Sequence, residues 1–113
     1  MISYKIGNEL DLDEVLDLYE ASTLGARRPM DDRRRMAKMI KKANLVITAW
    51  DRKLLVGISR SISDFSYSTY ISDLAVRESH QRQGIGMELM RRTQKASAPA
   101  TVILLAAPAA QEY

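Results

Sequence analysis

Apolar residues recur at two different periods along the chain, and the switches between them mark out the elements. Ser3-Tyr4-Lys5-Ile6 reads as a short first strand, broken by Gly7-Asn8-Glu9. Leu12, Val15, Leu16 and Tyr19 then follow at helical spacing, which predicts an amphipathic helix over 11–22. Asp11, three residues before Glu14, gives it a capping-box-like start. Residues 22–29 read as a loop, with Pro29 disfavouring helix at Arg28. Asp31 or Asp32 can cap a second helix. Its Met36, Met39, Ile40 and Ala43 line one face, while Arg33, Arg34, Arg35, Lys38, Lys41 and Lys42 mostly take the other.

Beyond that helix the period changes to that of strands. Leu45–Trp50, Leu54–Ile62 and Tyr67–Val76 are strand-like runs separated by the polar turns Asp51-Arg52-Lys53 and Asp64-Phe65-Ser66, as in an antiparallel meander. Gly57 marks a candidate bulge. A third helix is expected from about Gly84 to Lys95, burying Ile85, Leu89 and Met90. The segment 96–100 is a linker. Thr101–Ala106 is a continuous apolar run, as expected of a strand covered on both faces. Joined through a helix to the strand before it, it should lie parallel to that strand.

The chemistry gathers where the meander meets the third helix. Gln81-Arg82-Gln83-Gly84-Ile85-Gly86 stands between a strand and a helix and runs straight into Met87. A helix start leaves about four backbone N–H groups without intrahelical partners and carries partial positive charge. Glycines there let the main chain approach a ligand closely, so the junction suits a phosphate or pyrophosphate. The P-loop pattern fails, because Met87-Glu88 follows where Lys-Ser or Lys-Thr is required. The dinucleotide fingerprint fails too, because its third glycine would fall at Leu89.

The remaining pattern, Leu74-Ala75-Val76 ending a strand, then Gln81-x-x-Gly84-x-Gly86 opening a helix, resembles the signature of the GNAT superfamily of acyl-CoA N-acyltransferases. The resemblance implies an α/β (α+β) fold with a mixed central sheet, element order β-α-α-β-β-β-α-β and helices on both faces, in one domain over 1–113. It implies acetyl-CoA as cosubstrate, its pyrophosphate held by Gln81, Arg82, Gln83, Gly84, Ile85, Gly86 and Met87. The strand-end backbone of Leu74, Ala75 and Val76 would hold pantetheine and polarise the thioester carbonyl. No metal is implied. In the family a further helix and two strands follow the fifth strand, so the resemblance also implies a truncated domain, with Thr101–Ala106 as an open apolar edge that a second copy of the chain would cover.

Acylation of an amine needs a base, a polarised carbonyl and a proton donor for the departing thiolate. Asp73 is the nearest carboxylate and lies within an otherwise apolar strand. Desolvation there should raise its pKa and suit it to act as the base. A structural carboxylate accepting hydrogen bonds is the alternative. Tyr113 falls close to the position of the family's acid tyrosine, one residue out of register. Arg27 and Arg28 lie in the loop that commonly shapes the acceptor pocket, and an Arg pair can hold a carboxylate or phosphate. A solvated loop is the competing account of them.

Composition narrows the function classes. The chain has no cysteine and one histidine, His80, which excludes disulfides, a thiolate nucleophile and a histidine cluster for zinc. No apolar run approaches the ~20 residues that cross a bilayer, and the start lacks a secretory pattern, so a cytoplasmic protein is expected. The net charge of +3 favours a polyanionic ligand without requiring nucleic acid. Two other readings stay open. One is a non-catalytic acyl-CoA-binding module. The other is a small nucleic-acid-binding domain using Arg33–Lys42, although no aromatics interleave those charges and a solvated helix face accounts for them. The acceptor expected is a small-molecule or peptide amine.

Overall fold

The structure, a computed structural model, describes residues 1–105. Strands β1 (Ile2–Ile6), β2 (Leu45–Asp51), β3 (Leu54–Ser63), β4 (Ser68–Val76) and β5 (Thr101–Leu104) lie side by side in chain order. The first four are antiparallel, and β5 runs parallel to β4. Helices α1 (Leu12–Ala21) and α2 (Arg33–Lys42) cover one face, and α3 (Ile85–Ser97) covers the other. The mixed sheet with helices on both faces is the arrangement expected from the order of elements.

Local chemistry explains the helices. Asp11 accepts from the Asp13 N–H at 2.8 Å and Asp32 from the Arg35 N–H at 3.0 Å, so each carboxylate satisfies an orphan donor of a first turn. Val15, Leu18 and Tyr19 of α1 and Met36 and Ile40 of α2 bury against Val46, Ile58 and Ala75 of the sheet. Ile85 and Leu89 of α3 bury against Ile47, Val56, Leu74 and Val76. Consecutive β4 residues thus alternate between the two cores, which is the period of a strand packed on both sides.

Two register shifts re-aim the strands. Ala49 pairs with Gly57 but Trp50 with Leu55, leaving Val56 as the extra residue of a bulge next to Gly57. The glycine itself serves packing. A Cβ there would stand 3.0 Å from Leu89 Cδ1 and 3.2 Å from Ile85 Cγ2, so its absence lets α3 ride close to the sheet. The second shift pairs Arg60 with Asp73 and Ser61 with Ile71, leaving Ser72 extra. Ser72 and Asp73 consequently both reach the α1 side, where they meet Arg60 and Tyr19.

The structure departs from expectation in three places. Residues Leu24–Arg27 and Glu78–His80, read as loop, are 3₁₀ turns. The strand expected over Thr101–Ala106 ends at Leu104, and Ala106 lies outside the described residues. Nor do the described residues cover both of its faces. Val102 and Leu104 pack toward α3, but Ile103 is 47% exposed and Leu105 76%, because the core under α1 and α2 reaches only β2, β3 and β4.

Candidate functional site at the start of α3

Three side chains fix the loop between β4 and α3. The Arg77 guanidinium spans Leu55 O at 2.9 Å and Asp17 Oδ2 at 2.9 Å. His80 Nε2 lies 2.8 Å from Asp51 Oδ2, at the end of β2. Gln81 Nε2 donates to Val76 O at 2.8 Å, closing the loop back on the strand it leaves. Beyond these, Arg82 and Gly84 adopt left-handed φ values of 65° and 83°. Glycine takes that conformation without penalty.

The result is a run of open donors. The Glu88 N–H makes the first helical bond, to Gly84 O at 3.0 Å, while the backbone N–H groups of Arg82 to Met87 have no acceptor among the described residues. A helix start of this kind attracts anionic oxygens through its amides and its dipole.

This loop forms one wall of a cleft of about 420 Å³, contributed by Gln81, Arg82, Gly84, Ile85, Gly86 and Met87. The opposite wall is the turn after α1, with Ser22, Thr23, Leu24 and Arg27. Val76, Glu78 and His80 complete the lining. Thr23 and Arg82 face the cleft from opposite walls, and both hold positive φ, at 73° and 65°. Non-glycine residues keep such conformations only where their surroundings impose them. Of the other expected binding residues, Gln83 is exposed and Leu74 and Ala75 are buried within β4; none of the three lines the cleft.

Asp73 lies among charged and polar partners rather than in the apolar surroundings that its strand neighbours suggest. Its side chain is fully buried. Its Oδ1 accepts from Arg28 Nε at 2.7 Å and its Oδ2 from the Tyr19 hydroxyl at 2.6 Å and Arg60 Nε at 2.5 Å. Burial pushes its pKa up, as expected, but the Arg60 hydrogen bond and charge, the Tyr19 hydrogen bond and the Arg28 charge outweigh burial. The carboxyl is therefore held below its ordinary value, the reverse of the expected shift. Burial and the adjacent Asp73 charge raise the Tyr19 phenol well above its usual range. Arg28 is spent in the same cluster, donating also to Ser72 O at 2.9 Å and Arg27 O at 2.8 Å, so only Arg27 of the expected pair lines the cleft. Tyr113 lies outside the described residues.

Comparison with known proteins decides the family. A family model for an acetyltransferase (GNAT) domain matches residues 20–113. The chain belongs to the GNAT acetyltransferase family. Among solved structures, a GNAT family acetyltransferase from Streptococcus pneumoniae is 30% identical, with 96% of this chain and 77% of that one covered at a TM-score of 0.76. A protein from meticillin-resistant Staphylococcus aureus is 22% identical, with 98% and 84% covered at 0.80. An aminoglycoside 6′-N-acetyltransferase solved with coenzyme A is 19% identical, with 90% and 60% covered at 0.75. The last two likenesses show the fold alone. No curated protein sequence matches the chain.

Within this GNAT domain, sequence reasoning missed the Ser22–Leu24 wall and the parts played by Tyr19 and Arg60. One signal was present. Arg60 and Asp73 are opposite charges placed inside two consecutive, mostly apolar strands, and such charges are buried only as partners.

Proposed function

We propose that the chain transfers an acetyl group from acetyl-CoA to a primary amine of a small molecule or peptide by direct attack. The observation that carries this reading is the row of backbone N–H groups from Arg82 to Met87 without acceptors among the described residues, in a loop of which all but Gln83 lines the cleft. Their number and their place at a helix start fit a diphosphate, and Arg82 adds a charge beside them. Family membership supports acyl transfer as the reaction class.

In this reading the diphosphate of acetyl-CoA sits on the α3 amides, and its pantetheine arm runs toward Leu74–Val76. Strand backbone polarises the thioester carbonyl as it becomes an oxyanion. The amine attacks in its neutral form and sheds its proton to water in the open cleft. Asp73 is not given the role of base, because both its oxygens are taken and its carboxyl is held low. The leaving thiolate takes its proton from Tyr113. Arg27 is the acceptor-side cation, and the site needs no metal.

The occupied state of Asp73 favours a second reading, a non-catalytic coenzyme A binder. One pair of experiments separates them. Calorimetric titration with coenzyme A tests the shared binding step, and thiol release from acetyl-CoA with a panel of amines tests transfer. Binding together with amine-dependent release supports the enzyme. Binding without release supports the binder, and no binding removes both.

A second copy of the chain belongs to this proposal. Ile62, Tyr70 and Ile103 are cross-strand neighbours, 54%, 39% and 47% exposed, and form an apolar stripe over β3, β4 and β5. Sedimentation should show a dimer that dissociates on dilution. A monomer at every concentration would remove this part of the proposal.

A further inference from the structure

We propose that Asp73 is a positioning residue that ties the two walls of the cleft together and so sets the gap into which the coenzyme A chain passes. The inference rests on the coenzyme A reading above.

The wall formed by Ser22–Arg27 is a short turn between two anchors, and both anchors end on the same carboxylate. Upstream, the Tyr19 hydroxyl at the end of α1 donates to Oδ2. Downstream, Arg28 clasps Oδ1 through Nε and a terminal nitrogen, at 2.7 and 2.6 Å. The Nε hydrogen bond is charge-assisted, and the terminal nitrogen adds a close ion-pair contact while hydrogen-bonding Ser72 O. Asp73 itself sits on β4, three residues before Val76, where the strand enters the cleft and the opposite wall begins. The carboxylate is therefore the joint between the two sides.

The turn is one that needs holding. Thr23 is kept at a φ of 73°. Gly25 is pressed so close to the end of α1 that a Cβ would stand 3.2 Å from Tyr19 O and 3.3 Å from Glu20 Cα. Ser22 Oγ donates to Tyr19 O at 3.0 Å and accepts from the Leu24 N–H at 3.3 Å, bracing the near end. The far end depends on Arg28. The same cluster also fixes the bulge on β4, since Arg28 holds Ser72 O at 2.9 Å and Arg60 holds Ser72 Oγ at 3.0 Å. Among the described residues no buried side-chain polar atom lacks a partner, so the joint is complete as it stands.

Arg28→Gln is the variant of choice, because Asp73 keeps Tyr19 and Arg60 and its charge stays paired. Two readouts are taken: the calorimetric Kd for coenzyme A, and amide hydrogen exchange over residues 22–28. The expected result is a Kd raised about tenfold or more, faster exchange over 22–28 and unchanged exchange in β2, β3 and α3. Arg28→Lys, which restores one charged donor, should recover part of the affinity. A folded Arg28→Gln protein with a Kd within about twofold of the parent and unchanged exchange over 22–28 would overturn the proposal. Should Arg28→Gln not fold, Tyr19→Phe removes the other anchor while keeping the ring, and the same two outcomes decide. If the parent binds no coenzyme A, the functional reading fails by itself, and the joint is judged on hydrogen exchange alone.

Discussion

The glycine loop and the Asp73 cluster both bear on one cleft, yet they are built on opposite principles. The loop leaves backbone donors open and holds one strained dihedral, at the exposed Arg82. The cluster lies under α1 and satisfies every polar atom it buries. Open donors are useful to a ligand and cost little where water can reach them. Closed, paired charges are of no use to a ligand but hold geometry, since breaking a buried pair leaves a charge stranded. The contrast separates residues that bind from residues that position, although both sets carry charge and both lie near the cleft.

That contrast can be broken by substitution, starting with the largest effect. Asp73→Ala strands Arg28 and Arg60 and should cost about 3–5 kcal/mol, a large part of the stability of a small domain. Urea unfolding measures it, and a loss below about 1 kcal/mol would mean the pair is not a buried one. Acid should act in the same direction. The folded pKa of Asp73 is depressed, so its contribution is fully present above the unfolded value of about 3.9 and is lost as pH falls through the folded value. Glu88, held near 2 by hydrogen bonds first from Arg91 and then from Arg92, follows the same sign between its ordinary 4.5 and 2. The urea midpoint should therefore be flat between about pH 5 and about pH 9 and fall below that range. A midpoint that rose on acidification would contradict both assignments.

Intermediate effects come from two glycines, Gly84 in the loop and Gly57 on β3 under α3. Gly57→Ala crowds Leu89 and Ile85 and should lower stability by about 1–3 kcal/mol, seen as a drop in Tm. Gly84→Ala meets no neighbour within 4 Å but must hold a φ of 83°, so about 1–2 kcal/mol of strain is expected. The two should differ in ligand binding. Gly84→Ala should weaken coenzyme A binding more than its stability loss suggests, whereas Gly57→Ala should not. The smallest effect belongs to α2. Its exposed Lys38 should tolerate Ala within about 0.5 kcal/mol, with no change in coenzyme A affinity.

Much of this is legible in the sequence. The element order, the mixed sheet and the glycine loop follow from local patterns: 3.6-residue and 2-residue periods, and a Gly-x-Gly at a strand-to-helix junction. Asp73 stands out in the sequence as a carboxylate in an apolar strand, but its neighbours there do not give the direction of its shift. Desolvation is local to a strand and can be inferred from its neighbours in sequence. The arginines that reverse it arrive from 13 and 45 residues away, through a bulge at Ser72 that no spacing announces. The partner of Arg28 is hidden for the same reason, since a loop arginine looks free until its partner is known. The face of β5 left exposed by the described residues is hidden in the sequence, because a mostly apolar run of six residues reads the same whether one face or both are buried.

The claim on which the functional account turns is that the amides of Arg82–Met87 receive a diphosphate. It is tested most directly by titrating ¹⁵N-labelled protein with coenzyme A and following the backbone amide resonances. The account predicts the largest shifts at Arg82–Met87, and their loss when pantetheine, which has no diphosphate, replaces coenzyme A. Amides there that stay unmoved while coenzyme A binds, or that respond equally to pantetheine, would contradict it.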